Sequence, residues 1–305
     1  MDNRNYASDS LYTNREQFLV VLDSRNATTI YNPPYNSYVT FEFEDPIMIP
    51  KDALSMNCSV LSFVTPNSIY NINETNQYFH IQYSIVGQPT FLADLSFKIP
   101  VGNYTSTTFM SQLTTEVNGY DPTFGPGFSI TINNLNNQFT MYNPSYIFWF
   151  MPDSTIYNVM GFPQNQTIYS NSVYINAGTQ TTNAVQSLYT CNFNGIQNIN
   201  IHFETCVTSN IDSYSKSKSS IIASVPIDAN KSQIYYVKTH DYSFAIKDDV
   251  IDKLIISLQD DLENHINFNN QHWNMSLVFS VISDISRFQY ENNFHTILKN
   301  GYYYR

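Results

Sequence analysis

The chain has 305 residues, of which 42% are hydrophobic, 15% aromatic and 13% charged, with 24 Tyr and 21 Phe. That length holds two domains or one large β domain carrying an insertion, and it buries about 75% of the unfolded surface without a disulfide or metal staple. Low charge with many large rings excludes a disordered chain. Fourteen basic against 25 acidic residues, a net charge of −11, argue against direct nucleic-acid binding, which needs a basic face to displace counterions.

In chain order, residues 1–15 read as an N-terminal arm. Period-2 alternation then predicts strands over Gln17–Asp23, Ser37–Glu44, Met56–Thr65 and Gln77–Val86. Asp45-Pro46 punctuates the second of these, because proline cannot donate to a ladder. From about Phe91 to Gln164 the pattern changes. A strand at Leu95–Pro100 precedes a helix starting at Thr105-Ser106 with Phe109, Met110, Leu113 and Val117 on one face, closed by Asn118-Gly119. Two hairpin strands follow, Phe128–Ile132 and Gln138–Tyr142, joined by Asn133–Asn137, then the apolar run Tyr146–Met151 and a short turn or helix ending at Gly161.

Strands resume at Asn198–Thr205, Ser219–Pro226, Gln233–Lys238, Lys253–Gln259 and Trp273–Ile282, with a polar surface loop over Ser209–Ser220. The count predicts a mainly β protein: a single antiparallel eight-stranded jelly roll from residues 16–90 and 165–290, with a small α+β domain inserted at 91–164 and a C-terminal tail at 291–305.

No nucleotide loop, nucleophile elbow, zinc-protease or dinucleotide fingerprint is present. Cys58, Cys191 and Cys206 lack CxxC spacing and read as reduced thiols. His80 and His202 sit within alternating strands, as ordinary strand residues. Asp260, Asp261 and Glu263 could supply calcium oxygens, but they lie between two strands and read as a solvated hairpin tip. Glu42 and Glu44 share one strand face, which alternation explains without glycoside hydrolysis. The expectation is a non-enzyme with no catalytic, cofactor or metal residues. No apolar leader and no 18-residue apolar run occur, so neither a secretory signal nor a membrane span is expected.

Abundant Tyr, Phe, Met and Asn suit broad, weakly charged protein contacts. At the termini, Tyr6, Leu11, Tyr12 and Arg15, and Tyr302, Tyr303, Tyr304 and Arg305, are candidates for contacts with a neighbouring subunit.

Three segments in order resemble the penton (vertex) capsid proteins of virophages, Polinton-like viruses and their giant-virus relatives. The first is Ile99-Pro100-Val101-Gly102-Asn103-Tyr104-Thr105 followed by the Phe109–Val117 helix. The second is Phe128–Thr140 running on to Asn158-Val159-Met160-Gly161-Phe162. The third is Asp252–Phe279, including Ile266, Phe268 and Trp273, with Asn264 standing where the family places a turn glycine. The resemblance implies a single jelly roll with an insertion, forming homopentamers at the fivefold vertices of an icosahedral virion. It implies contact with the viral major capsid protein, and with a minor capsid protein, and assembly in the host cytoplasm. Alternatives are a minor capsid or cement protein off the fivefold axis, or a jelly-roll carbohydrate-binding attachment protein that stacks a host glycan or receptor on Trp149, Tyr157 or Tyr169.

Overall fold

The computed structural model describes residues 13–51, 53–85, 93–169, 171–175, 179–204, 210–211, 218–228, 230, 233–238, 243–246 and 248–284. The chain is mainly β, and every strand pairing among the described residues is antiparallel. It divides into two compact units, residues 1–69 with 196–305, and residues 70–195.

The first unit begins with β1 (Thr13–Asp23), β2 (Thr29–Ile30), β3 (Tyr38–Met48) and β4 (Ala53–Pro66). The second unit holds β5 (Tyr78–Ile85), β6 (Ala93–Lys98), helix α1 (Ser106–Tyr120), β7 (Ser129–Asn133), β8 (Gln138–Tyr142), β9 (Tyr146–Phe150), the short helix α2 (Tyr157–Met160), β10 (Ile168–Tyr169), β11 (Asn171–Ile175) and β12 (Thr179–Gln186). The chain then re-enters the first unit through β13 (Asn198–Phe203), β14 (Asn210–Ile211), β15 (Lys218–Ser219), β16 (Ile221–Pro226), β17 (Ile234–Lys238), β18 (Phe244–Ile246), β19 (Val250–Gln259) and β20 (Asn274–Asp284).

In the first unit one sheet runs β1-β20-β4-β17, with β18 also on β4, and the other runs β16-β13-β19-β3-β2. Alternation sends Val39 and Phe41 of β3, Leu254, Ile256 and Leu258 of β19, and Met275, Leu277 and Phe279 of β20 into one core with Phe63, Phe203, Phe268 and Trp273. Pro46 lies inside β3 rather than ending it. It does so because the register with β19 breaks between Ile251 and Lys253, and an irregularity is where a ladder tolerates proline.

The second unit has sheets β10-β9-β5-β6 and β11-β12-β8-β7. Helix α1 starts at a Thr105/Thr108 capping box and buries Phe109, Leu113 and Val117, filling a core with Phe79, Phe124, Phe139, Phe148 and Phe150.

Two expected boundaries move. The inserted stretch is 70–195 rather than 91–164, because Tyr78–Ile85 hydrogen-bonds to β6 and β9 and the segment beyond 164 returns to β8 through β12. Residues 13–15 of the expected arm belong to β1, which pairs Thr13 with Asp284, Asn14 with Ser283 and Arg15 with Ile282.

Left-handed backbone at Asn36, Asn137, Asn165, Asn183, Asn269 and Asn270 turns the chain at several corners, a conformation that asparagine adopts more readily than most residues. The expected φ > 0 at Asn264 falls instead on its neighbour, Glu263 (φ 63°).

Candidate functional site

Within the second unit, the motif residues Gly102, Asn103 and Tyr104 converge on Asn71. Gly102 bridges Ile72 through backbone bonds in both directions. The Asn71 backbone N–H donates to Asn103 Oδ1 (3.2 Å), and the Asn71 side-chain oxygen accepts from Tyr104 N (2.8 Å). Asn71 Nδ2 donates to the carbonyls of Tyr104 and Phe193, both at 2.7 Å. Gly195, at φ 75°, packs its backbone on Asn71, where even a Cβ would meet the Asn71 Cα at 3.2 Å. One buried amide thus ties the start of the unit to Tyr104 and to Phe193 near its end.

Gly161 and Phe162 form a second node. Gly161 caps α2 in the left-handed region (φ 75°), and its carbonyl accepts from Tyr189 N at 2.9 Å. Phe162 N donates to Tyr157 O (2.8 Å), and its ring stacks on Phe150 with centroids 4.3 Å apart.

In the first unit, Trp273 is fully buried. Its indole N–H donates to Asn36 O (2.8 Å), and its backbone N–H donates to Ser24 Oγ (3.0 Å). Its ring packs against Phe41 and Phe63 at about 6 Å. Ile266 and Phe268 fill the same core. The eight motif residues thus make backbone hydrogen bonds, ring contacts and core packing within their own units.

The Asp260–Asn264 turn is organised by its own carboxylate: Asp260 accepts from the backbone N–H groups of Leu262 and Asn264, each at 2.8 Å, while Asp261 accepts from Asn198 Nδ2. Glu42 and Glu44 are exposed on the outer face of β3. Among the described residues, no group of three or more His, Cys, Asp or Glu side chains is placed to hold a metal ion. Cys58 is buried in the first unit's core, and Cys191 is a free thiol whose pKa burial pushes up. No helix among the described residues is long and apolar enough to cross a membrane. Of the terminal contact candidates, Arg15 lies on β1, whereas Tyr6, Leu11, Tyr12, Tyr302, Tyr303, Tyr304 and Arg305 lie outside the described residues, as does Cys206.

Sequence reasoning passed over Asn71, whose Asn-rich turn Asn71–Asn76 carries no periodic signal, and Asn36, which acts through its carbonyl alone. It also missed the neighbours of His80. His80 Nδ1 lies 2.7 Å from Asp153 and Nε2 lies 3.2 Å from Asp94. The Asp94 carboxyl is held below the usual range first by a hydrogen bond from Gln82, then by His80.

The class defined by this geometry is a two-unit, mainly β protein with antiparallel sheets. No family model and no curated protein matches the chain. Among solved structures, it is similar to the mavirus penton protein, at 10% identity and a TM-score of 0.46, over 88% of this chain and 100% of that one. It is also similar to a chain of the Sputnik virophage structure, at 11% identity and a TM-score of 0.38, over 90% of this chain and 98% of that one.

Proposed function

We propose that the chain is a structural, non-catalytic shell protein that forms the pentameric vertices of an icosahedral virion and contacts neighbouring major capsid capsomers, with assembly in the host cytoplasm. The observation that carries the reading is strand order. In the first unit, β1-β20-β4-β17/β18 opposes β16-β13-β19-β3, so each sheet interleaves early and late strands. Read with β17 and β18 as one interrupted strand, that order supports an eight-stranded double wrap of the jelly-roll type. A jelly roll presents broad sides, which suit heterologous contacts that close into a ring.

Residues 1–12 of the expected arm and the tail 291–305, with their tyrosines, serve in this reading as clasps on neighbouring subunits, while Arg15 lies within β1. Removing 1–12 leaves every β1–β20 pair in place, so the shortened chain should fold as before and assemble less well.

Light scattering and native mass of the purified chain across salt test the reading. The expected result is a closed species near five times 35.2 kDa. It should be favoured by salt, because protomers of charge −11 repel more weakly as the Debye length shrinks from about 30 Å at 0.01 M to about 8 Å at 0.15 M. A chain that stays monomeric at every salt and concentration would point to an off-axis shell protein instead.

A further inference from the structure

The outer face of the β10-β9-β5-β6 sheet carries side chains that folding does not require. Its inner face already supplies the core with Phe79, Ile81, Phe148 and Phe150. On the outer face, pairing registers set Tyr169 beside Trp149, Trp149 beside Gln82, and Gln82 beside Asp94. Two aromatic rings, an amide and a carboxylate therefore form one row across four strands, about 14 Å long at the usual strand spacing of about 4.8 Å. The rings of Trp149 and Tyr169 stand at 90° with centroids 6.3 Å apart, and Tyr169 is 60% exposed. They make two walls of an open corner.

The polar end of the row is fixed in advance. Gln82 donates to Asp94, and His80, one position along the same face, holds Asp94 through Nε2 and Asp153 through Nδ1. Both carboxylates still offer oxygens to solvent, their side chains being 63% and 56% exposed. Lys98, also on this face, lies four residues along β6 from Asp94, about 13 Å away.

We propose that this face is a binding site for a neutral oligosaccharide, with a sugar ring's C–H face against Trp149 and Tyr169 and its hydroxyl groups donating to Asp94 and Asp153. Aromatic walls give apolar contact at low entropic cost. Carboxylates accept paired hydroxyl donors, and their prior fixation by His80 and Gln82 removes an ordering cost from binding. The same two negative charges disfavour sialylated or sulfated sugars, which selects neutral ligands. The inference concerns the second unit alone and stands whether or not the chain forms pentamers.

The test uses the full chain on an array of neutral and sialylated oligosaccharides, with saturation-transfer NMR on the sugars retained. Neutral sugars should bind and sialylated ones should not. Trp149→Ala and Tyr169→Ala should each weaken binding about tenfold, equal to about 1.4 kcal/mol. Asp94→Asn should weaken it several-fold and Lys98→Ala should leave it unchanged. Because Tyr169 is exposed, its variant separates lost binding from lost folding, checked by an unchanged circular dichroism spectrum. Absence of neutral-sugar binding, binding that survives both aromatic variants, or preference for sialylated sugars would each overturn the proposal. So would a Trp149→Ala variant that loses self-association while the parent chain binds no sugar, which would make the face a protein contact.

Discussion

Gly161 faces the carbonyl of Tyr189 so closely that a Cβ on the glycine would lie far inside van der Waals contact with the Tyr189 oxygen. The obstacle is backbone, which cannot swing aside as a side-chain end can, and Gly161 also sits at φ 75°. Gly161→Ala should therefore cost about 2–4 kcal/mol, combining left-handed strain with overpacking. Urea unfolding followed by Trp149 fluorescence, the indole of the same unit, should show the lowered midpoint. An unshifted midpoint would mean that the Tyr189 backbone moves freely.

Asn71→Ala should be among the most damaging polar substitutions. It leaves the Tyr104 N–H and the carbonyls of Tyr104 and Phe193 unpaired in a buried setting. At about 1–3 kcal/mol for each orphaned group, a loss of about 3 kcal/mol or more is expected. Asn71→Asp keeps the acceptor and loses both donors, so it should not rescue. Equilibrium denaturation of the three proteins gives the comparison.

The chain has two tryptophans, one in each unit. Trp149→Phe should leave emission from Trp273 alone, blue-shifted and poorly quenched by acrylamide because that ring is fully buried. Trp273→Phe should leave the redder, more quenchable Trp149. It should also destabilise the first unit by at least about 1–3 kcal/mol, since the Asn36 carbonyl loses its buried donor. Equal quenching in the two single-tryptophan proteins would contradict the placement of both rings.

Acid and alkali should act on different groups. Burial pushes the Asp121 carboxyl up, but hydrogen bonds from the Tyr83 hydroxyl and the Phe124 and Thr123 backbone outweigh it and hold it below the ordinary range. A depressed carboxylate stabilises the fold above its unfolded pKa of about 4, and that contribution disappears as pH falls further. Asp121→Asn should flatten the acid limb of stability measured from pH 5 to pH 2. Tyr38 has the opposite sign. Its hydroxyl donates to Glu204 (2.8 Å), and that bond, with burial, pushes its pKa up to about 12. Its contribution is full below the unfolded value of about 10 and lost as pH rises through the folded one. Tyr38→Phe should remove that alkaline dependence.

Much of the fold is legible in alternation and capping. Gln138–Tyr142 and the Phe109, Leu113, Val117 face of α1 are fixed by local patterns, because period and cap chemistry decide them before any distant contact forms. The division between the units is not legible. Residues 78–85 alternate identically whichever sheet they join, and only pairing with β6 and β9 assigns them to the second unit. Pro46 misleads for the same reason, since its tolerance depends on a register break with β19, more than 200 residues away. Of the motif residues, Trp273 could be read as core from its strand, but its partner Asn36 could not, because any residue supplies a carbonyl. The row from Tyr169 to Asp94 exists only after four separated segments come into register.

The corners described above are made from asparagine more than from glycine: six described asparagines have left-handed backbone, against Gly161 and Gly195. Glycine would reach those angles without strain, but it would also loosen the denatured chain, which gains entropy from each residue lacking a Cβ. A chain with nine glycines in 305 residues keeps that gain small. Part of its resistance to unfolding therefore resides in the denatured ensemble, where each asparagine corner has fewer conformations to win by coming undone.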